Sequence, residues 1–151
     1  MFRDLVVAWR RGPRFWGDAS KSVWELIVAY RTLRFTPAAR LPLRQATQPS
    51  LPEAFISVKQ AMLIERVAYA IPVMAMRVPW RSDCLVQALA AQRWLTGAAI
   101  ASQISLGVRK DGQKFRAHAW LKAGDRIVTG GDISSYAKLL PAQTGRERFK
   151  K

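Results

Sequence analysis

The spacing of the apolar residues changes near Gly97, from about 3.6, the period of a helix, to about 2, the period of a strand. Before this point, the segment CLVQALAAQRWL carries its apolar residues at helical spacing. Ser82 or Asp83 is a preferred N-cap for that helix, and Gly97 is a good C-terminal cap. Beyond Gly97, apolar and polar residues alternate in SQISLGVRK. The chain is therefore predicted to place a helix directly before β structure.

The first β element is predicted to be a hairpin, because the Asp-Gly pair at 111–112 favours a type I′ turn. With these two residues as the loop, Arg109 pairs with Lys114, and Ser105 pairs with His118. The apolar side chains of both strands then share one face. They are Ile104, Leu106, Val108, Phe115, Ala117 and Ala119.

The N-terminal part is predicted to hold a helix between irregular segments. Glycines and a proline interrupt the pattern of residues 1–20, which predicts an irregular or weakly helical arm. Ser20 or Ser22 is a candidate cap for a helix that ends near Phe35. Four prolines then predict a connector over residues 36–52.

A second helix is predicted from about residue 53 to residue 71, after which Pro72 and Pro79 bracket a short segment. The chain of 151 residues is too short for two full domains. We therefore expect one compact unit, with residues 1–52 as arm, helix and connector and residues 53–151 as the core.

The charge of the chain is strongly positive, with 25 Lys and Arg against 10 Asp and Glu and a formal net charge of +15. Such a charge attracts anionic partners, including nucleic acid. The cations are scattered, however, through RTLR, AARLPLR and RERFKK, with no stripe interleaved with stacking aromatics. We therefore favour a solvated or partner-facing surface over a nucleic-acid site. An acidic peptide would satisfy the same charge.

Several classes of protein do not fit the sequence. A single cysteine cannot form an internal disulfide, and the N-terminus has no signal-peptide pattern, so a cytoplasmic protein is expected. The most apolar stretch, VWELIVAY, contains Glu25 and stops before Arg31, well short of the about 20 residues that a membrane-spanning helix needs. Clustered zinc ligands and a phosphate-binding loop are both missing, so we expect no metal and no cofactor.

The only cysteine, Cys84, falls in the first turn of the predicted helix, and the only histidine, His118, lies on a predicted strand. A thiolate is a strong nucleophile, and a helix N-terminus favours the anion. The N–H groups of that terminus can also donate to the oxyanion of a tetrahedral intermediate. His118 would take the thiol proton and give it to the departing amine. These residues predict a nucleophilic site.

A carboxylate would have to orient the imidazole, and two aspartates compete for this role. Asp125 lies in a second predicted turn, about 23 Å along the strand from His118. Asp132 follows the returning strand, and it reaches the ring if His118 pairs with Gly130 or Asp132. We prefer Asp132.

Each of these residues also has a plainer interpretation. A solitary cysteine in an apolar helix is most often a small core residue, a strand histidine is more often structural, and an aspartate after Gly-Gly usually belongs to a turn. The three residues follow one another on a helix, a strand and a strand, which is the order of a thiol active site. The plainer interpretation is therefore less convincing for the three residues together than for each one alone. From the residues alone, a thiol enzyme and a purely structural set remain about equally supported.

The segments PWRSDCLVQALAAQRWL and ISLGVRKDGQKFRAHAWLKAGDRIVTGGD together resemble a known family. This is the family of transglutaminase-like cysteine proteases that remove leader peptides during lasso-peptide biosynthesis. The resemblance covers about residues 70 to 132, and residues 22 to 43 look like the family's N-terminal helix and basic connector. It implies a papain- or transglutaminase-like α+β fold, with the Cys-bearing helix packed on a small antiparallel sheet after N-terminal helices.

The resemblance also implies that Cys84, His118 and Asp132 form a catalytic triad. Water, not an amine, would resolve the acyl-enzyme, and a separate ATP-dependent cyclase would close the ring of the freed core peptide. A threonine one residue before the scissile junction would be recognised. In this family the protease can be split from its leader-recognition domain, and this chain resembles the split protease half.

The expected partners are the precursor peptide, a separate small leader-recognition protein and, as a further candidate, the lasso cyclase. No nucleic acid is expected. Trp80, Arg81 and Trp120 are candidate substrate-binding residues, with plain packing as the alternative for each. The alternative function is a non-catalytic basic scaffold that presents the precursor to other maturation enzymes.

Overall fold

The computed structural model describes residues 12–36 and 56–138 of the chain. The predicted connector after Thr36, most of the N-terminal arm and the C-terminal tail lie outside these residues. The elements are α1 (Gly12–Phe35), α2 (Val58–Ala75), α3 (Cys84–Gly97), β1 (Gln103–Asp111), β2 (Lys114–Ala123), β3 (Arg126–Thr129) and β4 (Ala137–Lys138). The strands form one antiparallel sheet in the order β3-β2-β1-β4. The predicted α+β architecture is confirmed.

The first helix is longer than predicted, because α1 begins at Gly12 and continues through Gly17. Ser20 and Ser22 are inside the helix, where each hydroxyl donates to the carbonyl four residues earlier, so neither is the predicted cap. The reason lies in tertiary contacts. The Arg66 guanidinium of α2 donates to both carboxylate oxygens of Asp18, and this contact fixes the first half of α1. Such contacts override the weak helix propensity of one glycine.

The second helix begins later than predicted, because a capping box fixes its start. The Gln60 backbone N–H donates to Ser57 Oγ at 3.3 Å, and the Ser57 backbone N–H donates to Gln60 Oε1 at 2.9 Å. The predicted end at Ile71 is also wrong, since α2 passes through Pro72 to Ala75. Pro72 has no N–H to donate to the carbonyl four residues earlier, so α2 lacks one hydrogen bond there, but the Pro72 carbonyl still accepts the Met76 N–H at 3.3 Å.

The core lies between the three helices and one face of the sheet. Helix α3 is central, since it packs against α1, α2 and β2. Glu25 of α1 is buried, and its carboxylate pairs with Lys21 at 3.2 Å and with Arg93 of α3 at 3.1 Å. The large side chains with less than 2% exposure are mostly aliphatic: Leu26, Ile71, Leu89, Leu95, Leu121 and Val67. Burial of each contributes about 1.5–3 kcal/mol.

Helix α3 ends at Gly97 as predicted, but Gly97 is not the residue with the left-handed backbone. That residue is Ala99, whose φ is 55°. The Ile100 N–H donates to the Leu95 carbonyl at 2.9 Å, and the Ala99 N–H donates to the Thr96 carbonyl at 3.0 Å. This is a Schellman motif with alanine in the position that glycine usually occupies.

The β1–β2 hairpin forms, but its register differs from the prediction by two residues. His118 pairs with Gly107 instead of Ser105, and the loop is residues 112–113. Asp111 stays in β1, where its carboxylate pairs with Arg116 at 2.8 Å. A type I′ turn needs positive φ at both loop residues, and only Gly112 has it, at 62°. Because strand side chains alternate, a shift of two leaves the predicted apolar face intact.

Candidate active site

Cys84 is the first residue of α3, and the residue is half-buried. The N-cap residue Asp83 has extended backbone, but its side chain makes no capping hydrogen bond. It contacts Arg81 instead, at 3.5 Å. The first turn also contains no acidic residue. The first-turn N–H groups of α3 therefore receive no capping hydrogen bond from the Asp83 side chain, next to the only thiol of the chain.

The loop before Cys84 holds two polar atoms that are buried. Trp80 Nε1 and Ser82 Oγ make no hydrogen bond within the part of the chain that the structure describes. The Trp80 ring packs against the core, with its centroid 6.4 Å from that of Tyr30. The Gln87 amide donates to the Ser82 carbonyl at 2.8 Å, which ties the loop to α3. Of the two candidate substrate-binding residues here, Arg81 is exposed and Trp80 is half-buried.

His118 is half-buried on β2, and its ring is held by the segment that follows β3. Its Nε2 lies 2.7 Å from the Gly130 carbonyl oxygen, and its ring stacks on Tyr136 with centroids 4.8 Å apart. A carbonyl only accepts hydrogen bonds, so this contact requires the proton on Nε2. In the neutral ring, Nδ1 is then the nitrogen that can take a proton. This is the state that a general base needs.

Trp120 is on the same strand face as His118, and two glycines make room for it. The ring centroids of His118 and Trp120 are 6.3 Å apart. A Cβ on Gly107 would lie 2.7 Å from Trp120 Cζ3, and a Cβ on Gly130 would lie 2.9 Å from Trp120 Cα. Only 5% of Trp120 is exposed. In this conformation it offers little surface to a substrate and instead supports the histidine.

Neither of the two aspartates considered from the sequence accepts the hydrogen bond of the His118 ring. Asp132 is exposed, and its Oδ1 accepts the Ser134 backbone N–H at 2.9 Å. This bond lowers the pKa of the Asp132 carboxyl below its ordinary value. Asp125 lies in the β2–β3 turn and pairs with Lys122 at 3.3 Å. Within residues 12–36 and 56–138, neither carboxylate forms an ion pair with His118.

The group that orients the imidazole in this structure is therefore the Gly130 carbonyl. The ladder between β2 and β3 ends with Leu121 opposite Thr129, so the predicted strand pairing of His118 with Gly130 or Asp132 does not form. The chain instead turns at Gly130, whose φ is 109°. The catalytic role of Asp132 remains a prediction.

The structure also leaves the thiol and the ring without a direct bond. No hydrogen bond joins Cys84 and His118 among the residues described, and His118 leaves β2 on the face opposite Leu121, which lies in the core with α3. The contacts of His118 that the sequence did not predict are those with the Gly130 carbonyl and the Tyr136 ring. A Gly-Gly pair beside a strand was their one available signal, since it marks close backbone approach.

Neither a metal site nor a membrane-spanning helix is found in the described ranges. No group of three or more His, Cys, Asp or Glu side chains there is arranged to hold a metal ion. None of the helices there has the length and the apolar character to cross a bilayer.

A family model described as the transglutaminase-like superfamily matches residues 23–143. No curated protein and no solved structure matches the chain.

Proposed function

Because the chain belongs to the transglutaminase-like superfamily, which includes cysteine proteases, we propose that it is a cysteine peptidase with Cys84 as nucleophile. Its substrate is a ribosomally made lasso-peptide precursor, from which it removes the leader. It acts with a separate leader-recognition protein and before an ATP-dependent macrolactam cyclase. The observation that carries the proposal is the single thiol at the uncapped N-terminus of α3 in a domain of this superfamily.

The reaction begins when Cys84 Sγ attacks the carbonyl carbon at the leader-core junction. The thiol proton passes to Nδ1 of His118, the nitrogen that the Gly130 contact leaves without a proton. First-turn N–H groups of α3 donate to the oxyanion of the tetrahedral intermediate. His118 then protonates the departing amine as the C–N bond breaks, and the leader remains as a thioester on the sulfur.

Water completes the cycle. His118 accepts a proton from a water molecule, the resulting hydroxide attacks the thioester carbonyl, and the C–S bond breaks to release the leader and the thiolate. The mechanism requires Sγ and Nδ1 to come within hydrogen-bond reach, about 3–3.5 Å, in the substrate complex. Asp132 is proposed to stabilise the imidazolium, together with the Gly130 carbonyl that already contacts the ring.

The test uses the full chain, its leader-recognition protein and a synthetic leader-core peptide with threonine one residue before the junction. Mass spectrometry should show leader release by the native chain and none by Cys84→Ala or by the iodoacetamide-treated protein. Because the chain has one cysteine, alkylation modifies a single site. Leader release by Cys84→Ala at the native rate would refute the proposal.

A non-catalytic scaffold is the second candidate. It is favoured by the absence of a thiol–imidazole bond among the described residues and by the formal charge of +15. The scaffold predicts salt-sensitive binding of the precursor with no cleavage under any condition. The same mass-spectrometric assay separates the two functions.

A further inference from the structure

The cations of the sheet are not neutralised by the acidic side chains around them. Among the described residues, every aspartate and glutamate except Asp132 is engaged in an ion pair with a Lys or Arg. Arg109, Lys114 and Lys138 are outside all of these pairs. Three strands of one sheet thus present positive charge that no described carboxylate balances.

These cations lie on the same face as His118. The register pairs Gly107 with His118 on one side and with Lys138 on the other, so the two side chains leave the sheet on one face. Arg109 and Lys114 lie an even number of residues from Gly107 and His118 respectively, and therefore share that face. We name Arg109, Lys114, His118 and Lys138 the His118 face.

Arg109 brings positive charge close to the imidazole. Its guanidinium carbon lies 5.1 Å from the Tyr136 ring centroid. The Tyr136 ring in turn stacks on the His118 ring, with centroids 4.8 Å apart. Arg109 also donates to Ser135 Oγ at 3.3 Å. The arginine is held by both contacts, so its charge has a fixed place beside the ring. Lys114 and Lys138 are exposed and extend the charge outward.

We infer that the His118 face binds an acidic segment of the peptide substrate. The inference rests on the proposed peptidase function, and it adds the charge of the substrate to it. Carboxylate side chains would pair with Arg109, Lys114 and Lys138, and the peptide backbone would pass His118. Long-range attraction to this face would raise the rate of encounter with an acidic peptide.

A peptide suits this face better than a nucleic acid. Binding of single strands needs aromatic faces on which bases can stack. Here Trp120 is buried, and Tyr136 is already covered by Arg109 and His118. In the described residues, β4 pairs with β1 only at Gly107 and Val108, which leaves the rest of the β1 edge for an extended chain.

The test is binding by the full-length Cys84→Ala variant, which separates recognition from cleavage. The probe is a fluorescein-labelled dodecapeptide with four glutamates, and the same peptide with four glutamines is its uncharged match. We expect Lys114→Gln/Lys138→Gln to weaken binding of the glutamate peptide about fivefold, as expected for two exposed ion pairs. The control, Lys59→Gln/Arg77→Gln, removes two cations that also form no described ion pair but lie away from the sheet, one in the first turn of α2 and one just after its C-terminal end.

Several results decide the question. The inference is supported if Lys114→Gln/Lys138→Gln weakens binding about fivefold for the glutamate peptide only, and the control variant does not. The difference in Kd should also be smaller at about 300 mM salt, because salt screens exposed charges. Equal Kd values for the two double variants overturn it. If a twelve-nucleotide oligothymidylate binds more tightly than the glutamate peptide, and the Lys114→Gln/Lys138→Gln variant loses this binding, the inference is overturned in favour of nucleic acid. Intact glutamate-peptide binding without leader cleavage by the native chain refutes the peptidase while retaining the acidic-peptide surface.

Discussion

Gly130 is where the backbone both turns sharply and contacts the candidate catalytic histidine. Its φ of 109° is rare for residues with a side chain, and an added Cβ would overlap Trp120 Cβ and lie 2.9 Å from Trp120 Cα. The backbone strain costs about 1–3 kcal/mol, and the steric overlap adds about 1–3 kcal/mol. The lower entropy of the unfolded alanine chain offsets about 0.4–1 kcal/mol. Gly130→Ala should therefore lower the free energy of unfolding by about 3 kcal/mol.

The neighbouring glycine is a matched control. Gly131 has a φ of 62°, and an added Cβ there would meet nothing within 4 Å. Gly131→Ala therefore meets only the left-handed penalty of about 1–2 kcal/mol, partly offset in the unfolded state. With an m-value of about 2 kcal/mol/M, the urea midpoint should fall by about 1.5 M for Gly130→Ala and by about 0.5 M for Gly131→Ala.

Equal midpoints for the two variants would refute the close approach of residue 130 to Trp120. A second measurement connects the same change to the site. The hydrogen bond from His118 Nε2 to the Gly130 carbonyl should be lost in Gly130→Ala and kept in Gly131→Ala. Nitrogen NMR of the ring detects this bond directly, and leader release should fall with it.

Three further predictions concern the helix ends and the turn at Asp132. Ala99→Gly should raise stability by about 0.5–1 kcal/mol, seen as a higher urea midpoint, because glycine relieves the left-handed strain at an exposed position. Ser57→Ala should cost about 1 kcal/mol in thermal unfolding, whereas Asp83→Ala should change stability by less than about 0.5 kcal/mol, because only Ser57 makes a capping bond. The pKa of Asp132 is lowered in the folded chain, so its turn is intact above the ordinary value of 3.8 and is lost as pH falls through the lower folded value. The amide proton of Ser134, followed by NMR, should therefore titrate with a midpoint below 3.8, and a midpoint above it would contradict the Ser134 contact.

Local patterns predicted the elements well and their exact pairing poorly. The alternation in β1 and β2 fixed the apolar face, because a face survives any shift of two residues. The register itself differs from the prediction because Asp111 stays in β1 and the loop becomes residues 112–113, a choice between two neighbouring turn positions that the Asp-Gly pair does not settle. The early start of α1 depends on Arg66, a residue 48 positions away from Asp18.

The candidate site shows the same division. The position of Cys84 in a first helical turn follows from nearby cap and periodicity signals, and the structure confirms it. The acceptor for His118 is a backbone carbonyl, which every residue carries, so no side-chain pattern could identify it. Only the fold brings that carbonyl to the ring.

The segment from Gly130 to Lys138 has an energetic consequence of its own. It supplies both the acceptor and the stacking partner of His118, yet in the described residues the sheet holds it through only two strand pairs at β4. Local opening begins where few hydrogen bonds must break, so amide protons here should exchange with solvent earlier than those of β1 and β2. The imidazole would then change its surroundings at a small fraction of the free energy of global unfolding, while the helix that carries the sulfur stays folded.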